Sequence, residues 1–163
     1  MDEKSLRRKW SFRINGQKQV LIKRAEEKST HVLMKIFLAK LYHPFYKDIK
    51  IEVKYSKEKR YKPDLLALSP TGEALFWGEC GEVGEDKIIS LIQKYRDTHL
   101  CFSKWAIKPN HFEGIIDKAL AQLKKKRSAP IDFINFQEEH KAYIEDDGEV
   151  GIEKAELYRK RWH

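Results

Sequence analysis

Two short apolar strands joined by a turn make up residues 62–80, which read KPDLLALSPTGEALFWGEC. The strands are predicted over residues 63–69 and 74–80, because the intervening residues 70–73 (Pro-Thr-Gly-Glu) have the chemistry of a β-turn. A two-residue loop at Thr71-Gly72 and a four-residue loop over 70–73 give the same register. In that register Asp64 lies directly opposite Glu79, on the same face of the hairpin.

Both faces of this predicted hairpin are largely apolar, which is typical of strands that are covered on both sides. Two carboxylates opposed in such a place have Cβ atoms only ~4.5–5.5 Å apart and repel each other. They need a shared proton, a basic partner or a divalent cation. Mg²⁺ takes oxygen ligands and is often held by one or two carboxylates together with substrate phosphate. In the alternative, both acids lie in water at the end of the sheet, each paired with a lysine.

The rest of the chain alternates strand and helix patterns around this hairpin. Asn15-Gly16 between two β-type runs predicts an opening β-hairpin, and Ser29 or Thr30 can cap the helix that follows, which Pro44 stops. The further predicted elements are a helix to residue 42, a strand over 49–55, a helix over 85–97, a strand over 100–107, a helix over 113–125, a strand over 131–136 and a short helix over 152–159. This order predicts an α/β (α+β-like) fold with a mixed central sheet flanked by helices.

Composition points to a single domain with an anionic partner. The 163 residues carry 33 basic and 25 acidic side chains, a net charge of +8. Nucleic acid is the first partner that such a charge suggests, and an anionic membrane surface is the second. No apolar run is long enough to span a membrane, and the start of the chain at Met1 has no apolar signal segment, so we expect a cytoplasmic protein without membrane contact. Cys80 and Cys101 are expected to be buried, reduced thiols.

The order Pro63-Asp64, hairpin, Glu79 resembles the PD-(D/E)XK (restriction endonuclease-like) nuclease superfamily. Within it, the stretch Trp77-Gly78-Glu79-Cys80-Gly81, followed by Lys87, resembles the YaeQ family, as do the opening hairpin and the helix that starts at Ser29 and contains Met34. The resemblance covers roughly residues 8–107. It implies one domain over 1–163, made of a hairpin segment (1–28), a nuclease-like core (29–107) and a helix–strand extension with a charged C-terminal segment (108–163).

The resemblance also implies roles for individual residues. Asp64 and Glu79 would hold Mg²⁺ or Mn²⁺, with the backbone carbonyl of Cys80 as a further ligand. The superfamily's usual lysine lies two residues after the Glu, where this chain has Gly81. Lys87, in the first turn of the next helix, is the nearest substitute, since it lies at the edge of the apolar stripe and can lean toward the strand ends.

Other members supply a further Glu from the first helix. This chain has Ser29 where YaeQ-like sequences have that Glu. Glu26 and Glu27 precede the helix, and we do not expect either of them to reach the site. Lys94, two turns after Lys87, is a second candidate lysine that lies further from the acids.

A basic loop leads directly into Asp64 and is the predicted nucleic-acid contact. Its cations can grip a phosphate backbone and its aromatic rings are available for stacking, unless the loop is an ordinary solvated one. The candidate nucleic-acid-binding residues are Lys54, Lys57, Lys59, Arg60, Tyr61, Lys62 and Lys94, with Tyr55 as a further ring. A second basic cluster, residues 124–127, follows a predicted helix and is interpreted as structural.

These patterns predict a Mg²⁺-dependent nuclease that hydrolyses phosphodiester bonds of DNA or RNA, with a homodimer as a further expectation. The alternative is a catalytically degenerate nucleic-acid-binding or assembly module on the same fold, which the glycine at position 81 favours. A plain structural protein with a basic surface is the third reading. The six histidines show no ligand spacing and predict no site.

Overall fold

The computed structural model describes residues 8–163 as two sheets, three α-helices and two 3-10 helices. Residues 1–7, and with them the expectations about the start of the chain, lie outside the described residues. The elements are β1 (Arg8–Ile14), β2 (Gln17–Lys23), α1 (Ser29–Tyr42), β3 (Lys50–Ile51), β4 (Leu65–Leu68), β5 (Ala74–Cys80), α2 (Glu85–Lys94), β6 (His99–Trp105), α3 (Pro109–Ala121), β7 (Ile131–Phe136) and β8 (Tyr158–Trp162), with 3-10 helices at Glu138–Tyr143 and Ile152–Lys154.

The main sheet has six strands in the order β3-β4-β5-β6-β7-β8. Strands β3, β4 and β5 form an antiparallel meander, β5, β6 and β7 are parallel, and β8 returns antiparallel to β7. The helices α2 and α3 are the crossovers between the parallel strands, as such connections require. The predicted α/β architecture with a mixed sheet is therefore confirmed.

Each face of this sheet carries its own apolar core. Helix α1 covers one face, against buried side chains that include Leu65, Phe76 and Ile134. Helices α2 and α3 cover the other, against side chains that include Trp77 and Phe102. The central strands are thus covered on both sides, as the apolar faces of residues 62–80 predicted.

The opening hairpin forms a separate two-stranded sheet, and its predicted turn is confirmed. Asn15 and Gly16 both have positive φ (51° and 79°), which a two-residue type I′ turn requires. The hairpin is fastened to a late segment of the chain, because Arg13 exchanges backbone hydrogen bonds with Gly148 and Val150. The buried Lys40 of α1 also donates to the Asn15 side chain at 2.7 Å.

Helix α1 has the predicted extent but not the predicted cap. Lys28 is the N-cap residue and makes no side-chain capping bond. Ser29 lies inside the first turn instead, where its hydroxyl is buried and has no hydrogen-bond partner among the described residues. The helix is buried nearly all round, since the hairpin, the sheet and a 3-10 helix all pack on it. This is why even Lys35 is fully buried.

Several predicted boundaries are wrong for local reasons. The strand over 49–55 is reduced to β3, because Glu52 adopts a positive φ of 56° and leaves the ladder. Helix α2 ends at Lys94 rather than residue 97, and α3 begins at Pro109, a favoured first helical residue, rather than at 113. The short helix over 152–159 is wrong. Its start is one 3-10 turn, and β8 follows it as an edge strand paired with β7.

The charged strand β8 is anchored by a buried polar cluster. Asp132 accepts hydrogen bonds from Arg161, from the Tyr42 hydroxyl and from His99. Burial alone would raise the pKa of Asp132, but these donors hold it well below its usual value.

Among the described residues, no helix has both the length and the apolar character that crossing a membrane requires.

Candidate functional site

Glu79 is a buried acid near the end of β5, with 5% of its surface exposed. Its carboxylate accepts a hydrogen bond from the Trp77 indole at 2.8 Å and lies 2.9 Å from the Lys87 ammonium. Burial, and next the negative charge of Asp64, raise its pKa to about 6, although Lys87 and Trp77 act in the opposite direction. Lys87 therefore reaches the end of β5 from the first turn of α2, as its position on the helix predicted.

Asp64 lies just before β4, and its side chain contacts α1, which covers the face of the sheet opposite to α2. Its Oδ2 accepts a hydrogen bond from the Cys80 amide at 2.8 Å, and its Oδ1 lies 3.5 Å from Nε2 of His31 on α1. The Asp64 amide donates to the Gly78 carbonyl at 3.0 Å. Asp64 and Glu79 are thus neighbours at one end of the hairpin, but each has its own basic partner, from α1 and α2 respectively.

The predicted register is correct only along the middle of the hairpin. Leu65, Leu66 and Ala67 pair with Gly78, Trp77 and Phe76 as expected. Beyond them a bulge shifts the ladder, so that Leu68 pairs with Ala74. At the other end, both Asp64 and Leu65 meet Gly78. The simple cross-strand pairing of Asp64 with Glu79 is therefore wrong, because an irregularity at this end turns Asp64 out of the ladder.

A chain of ion pairs links Asp64 to residues that the sequence did not assign. His31 lies between Asp64 and Glu27, and Glu27 also binds the buried Lys35 at 2.6 Å. Lys35 binds Glu52 at the same distance. The turn before α1 folds Glu27 back against the first turn of the helix, where it contacts Asp64 only through His31, so its absence from the metal site stays a prediction.

The electrostatics of this chain follow from burial and pairing. Burial lowers the pKa of His31, but its bonds to Asp64 and Glu27 outweigh this and raise it to about 9. Burial raises the pKa of Glu27, but His31 and Lys35 outweigh it and lower it to about 2. The pKa of Lys35 is raised because its two carboxylate partners outweigh its burial. His31, Glu27 and Lys35 are therefore charged at neutral pH.

A second lysine, Lys104, lies beside Gly81, where the resemblance had led us to expect a lysine. Gly81 has a φ of 80°, and its carbonyl accepts a hydrogen bond from the Lys104 ammonium at 2.7 Å. Glu79 and Cys80 pair with Phe102 and Ser103 of the neighbouring parallel strand, so Lys104 follows next to Gly81. Burial lowers the pKa of Lys104. No local pattern in the sequence pointed to Lys104, because the register between parallel strands is set by contacts between distant segments.

The basic loop is held against α2 by two buried side chains. Tyr55 packs against Trp77 and Tyr95, which excludes it as a stacking surface. Buried Glu58 binds Lys94 at 2.6 Å, so Lys94 anchors the loop. Lys57 is also paired, with Glu73. The remaining predicted cations of the loop are exposed: Lys54, Lys59, Arg60 and Lys62.

Tyr61 connects this loop to the candidate lysine. The Arg60 guanidinium lies 4.9 Å and the Lys87 ammonium 5.4 Å from the centre of its ring.

In the second basic cluster, Arg127 is buried and donates to the carbonyls of Ile92, Tyr95 and Thr98. The structural interpretation of that cluster therefore holds for Arg127.

Oxygen donors define what the site could hold. Within residues 8–163, no three His, Cys, Asp or Glu side chains are grouped so that they could hold a metal ion. The candidate donors are accordingly the two carboxylates, Asp64 and Glu79. The Cys80 amide bonds to Asp64, and the ligand role of the Cys80 carbonyl stays a prediction. An all-oxygen set of this kind suits Mg²⁺ or Mn²⁺, which keep several waters or substrate oxygens as further ligands.

The fold defines a class of mixed α/β protein in which one helix packs on one face of a six-stranded sheet and a separate hairpin packs on that helix. Solved YaeQ proteins have a similar fold. The chain matches the YaeQ protein from Xanthomonas axonopodis pv. citri with a TM-score of 0.51 and 11% identity, over 80% of this chain and 73% of that one. It matches the YaeQ protein from Pseudomonas syringae with a TM-score of 0.52 and 17% identity, over 90% and 79%. No family model and no curated protein sequence matches.

Proposed function

We propose that this chain is a divalent-metal-dependent nuclease of the PD-(D/E)XK type, which hydrolyses phosphodiester bonds of DNA or RNA. The observation that carries the proposal is the buried environment of the Glu79 carboxylate. This acid is buried next to a second acid, Asp64, and has a lysine at 2.9 Å. Burial, and next the charge of Asp64, raise its pKa to about 6 despite that lysine, so a cation bound to both acids would stabilise the charged form of Glu79.

A divalent cation fits this donor set. Asp64 and Glu79 would hold it through carboxylate oxygens, with the Cys80 carbonyl beside them, and the cation would relieve the repulsion between the acids. When bound, Mg²⁺ or Mn²⁺ would polarise the scissile phosphate and lower the pKa of a bound water.

The chain's own side chains supply the remaining parts. Lys87 is close enough to Glu79 to orient the attacking water or to neutralise the charge that develops on the phosphate. Lys104, bound to the Gly81 carbonyl, brings a second cation to the position beside the missing lysine. The exposed loop cations precede Asp64 directly and would hold the phosphate backbone.

A non-catalytic nucleic-acid-binding module is the second candidate. It is favoured by Gly81 and by the engagement of Asp64, whose two oxygens already meet the Cys80 amide and His31. In that case the basic surface would still bind nucleic acid, and the carboxylates would serve only the fold.

Calorimetry with Mg²⁺ and Mn²⁺ tests the metal site. We expect the wild type to bind, and both Asp64→Asn and Glu79→Gln to weaken binding at least tenfold. Asp146→Asn is the matched control and should bind like the wild type. Asp146 is an exposed acid in the loop that follows the 3-10 helix at Glu138–Tyr143. No binding by the wild type contradicts the proposal.

Cleavage separates the two candidates. Labelled single- and double-stranded DNA and RNA would be incubated with Mn²⁺ or with EDTA, using wild type, Asp64→Asn and Lys87→Met. A nuclease cuts only with metal and loses activity in both variants. Binding that survives Asp64→Asn, with no cleavage by the wild type, supports the module.

A further inference from the structure

A cleft of about 510 Å³ lies immediately past the end of β5 and is lined by His31, which also contacts Asp64. Its size lies within the range of roughly 300–1,000 Å³ that holds small organic ligands. One wall is apolar and consists of Met34, Trp105 and Ile107, whereas Thr30 and the Lys104 ammonium add polar groups. Such a lining suits a flat, heteroaromatic group with a polar edge.

No side chain enters this cleft from position 81. A Cβ atom built on Gly81 would lie 3.5 Å from the Met34 side chain and 3.6 Å from the His31 ring, in ordinary van der Waals contact with both, and would take up part of the space between them. The positive φ of Gly81 also makes any other residue strained there. The glycine that replaces the usual lysine therefore has a structural consequence of its own.

A second cleft, of about 350 Å³, lies on the other side of His31. It is lined by Asp64 and by two basic side chains, Arg24 and Lys62, and His31 and Glu27 line both clefts. The two clefts therefore meet at His31, the partner of Asp64, and at Glu26 and Glu27. The first cleft offers an apolar wall for a base. The second holds the candidate metal ligand Asp64 with Arg24 and Lys62, among the carboxylates Glu26, Glu27 and Glu52, so a cation held by Asp64 would bind a phosphate of the same strand there.

We propose that the cleft beside Gly81 receives one unpaired nucleobase, so that the chain acts on single-stranded or locally unpaired nucleic acid. The inference rests on the proposed function, because it takes a nucleic-acid strand as the ligand. With the base against Met34 and Trp105, the neighbouring phosphate lies toward Asp64 and the next one toward Lys62. A base in an intact duplex is stacked and paired, and must leave the helix before it can enter such a cleft.

The charges in the cleft balance and do not select a phosphate. Three carboxylates line it together with three cations: Glu26, Glu27 and Glu82 with Lys28, His31 and Lys104. A phosphate gains no net attraction from such a lining. The amino groups of a base, in contrast, can donate to carboxylates, and its ring nitrogens and carbonyls can accept from a lysine.

Thr30→Phe tests the cleft from a partly exposed position in the first turn of α1. Gln93→Phe is the control, because Gln93 is an exposed helical residue at the end of α2 that is remote from Glu79. Fluorescence anisotropy would be measured with a labelled single-stranded 12-mer and with its duplex, in EDTA. We expect the wild type to bind the single strand at least tenfold more tightly than the duplex. Thr30→Phe should lose about tenfold for the single strand only.

Equal or tighter binding of the duplex by the wild type overturns the inference, whether or not Thr30→Phe folds. Unchanged single-strand affinity in a folded Thr30→Phe variant overturns it too. The metal titration is independent of both results, since Thr30→Phe should bind Mg²⁺ like the wild type. A wild type that prefers single strands but binds no metal and cuts nothing leaves the cleft supported and the nuclease proposal contradicted.

Discussion

Replacing Glu79 by Gln should change how the stability of the protein depends on pH. In the folded protein the pKa of Glu79 is raised to about 6 by burial and by the charge of Asp64, against an ordinary value of 4.5. The folded state therefore holds the Glu79 proton more tightly than the unfolded state does. The wild type must lose stability from this group as the pH rises through the window from 4.5 to 6.

The size of the effect follows from the same two values. Their difference corresponds to ~2 kcal/mol of unfolding free energy, which is fully expressed above pH 6 and absent below pH 4.5. Because only 5% of the surface of Glu79 is exposed, solvent screening reduces this little. Glutamine has the same shape and no charge to bury. The stability of Glu79→Gln relative to the wild type should therefore rise by ~2 kcal/mol between pH 4 and pH 7.5.

Urea unfolding in EDTA at a series of pH values would measure this difference. Glu139→Gln, an exposed acid in a 3-10 helix, is the control, and its difference from the wild type should stay nearly constant. A difference for Glu79→Gln that is flat, or that falls with rising pH, would refute the account of Glu79 as a strained, buried carboxylate.

A second arm of the same experiment uses Mg²⁺. At 100 times its dissociation constant, a ligand that binds only the folded state adds ~2.7 kcal/mol to the unfolding free energy. The wild type should gain this at pH 7.5 and Glu79→Gln should not. If Mg²⁺ adds no stability to the wild type but the pH dependence is as expected, the metal site is contradicted and the electrostatic account of Glu79 stays intact.

Three further outcomes are expected. Lys35→Met should destabilise the protein by ~3–5 kcal/mol at pH 7 in urea unfolding, because it leaves Glu27 and Glu52 without their buried cation; a loss below ~1 kcal/mol would contradict this. Arg161→Met should cost ~1–3 kcal/mol, since two hydrogen bonds to Asp132 are lost but Arg161 itself is half exposed, and hydrogen exchange should increase in β8 first. Single-strand affinity should fall with salt with a log–log slope near −3, about 0.7 for each of the four exposed loop cations; a slope near zero would exclude backbone contacts.

Local signals in the sequence predicted the elements that depend on neighbouring residues. Asn15-Gly16 fixes a turn by its positive φ angles, and the apolar runs around Gly72 are the central strands. Lys87 was predicted to lean toward the strand ends from its angle on a helix alone. Each of these follows from the chemistry of a few consecutive residues.

Contacts between distant segments decided what the sequence could not predict. The strand β8 is rich in charge because it is an edge strand, and its pairing depends on Asp132 of β7. Glu27 pairs with His31 and with Lys35, which is buried one helix turn beyond His31. In both places a buried charged partner holds the side chain, and no local pattern in the sequence shows that burial.

The attachment of the first hairpin to Gly148 and Val150 has a consequence for synthesis on the ribosome. The hairpin is translated first, but the residues to which Arg13 bonds are translated near the end of the described chain. At roughly 5–20 residues per second, the interval is on the order of 10 s. During that time Phe12, Ile14 and Leu21, which are buried in the finished protein, lack their complete cover. Nascent chains of this protein should therefore be clients of chaperones that bind short apolar strands at the exit tunnel.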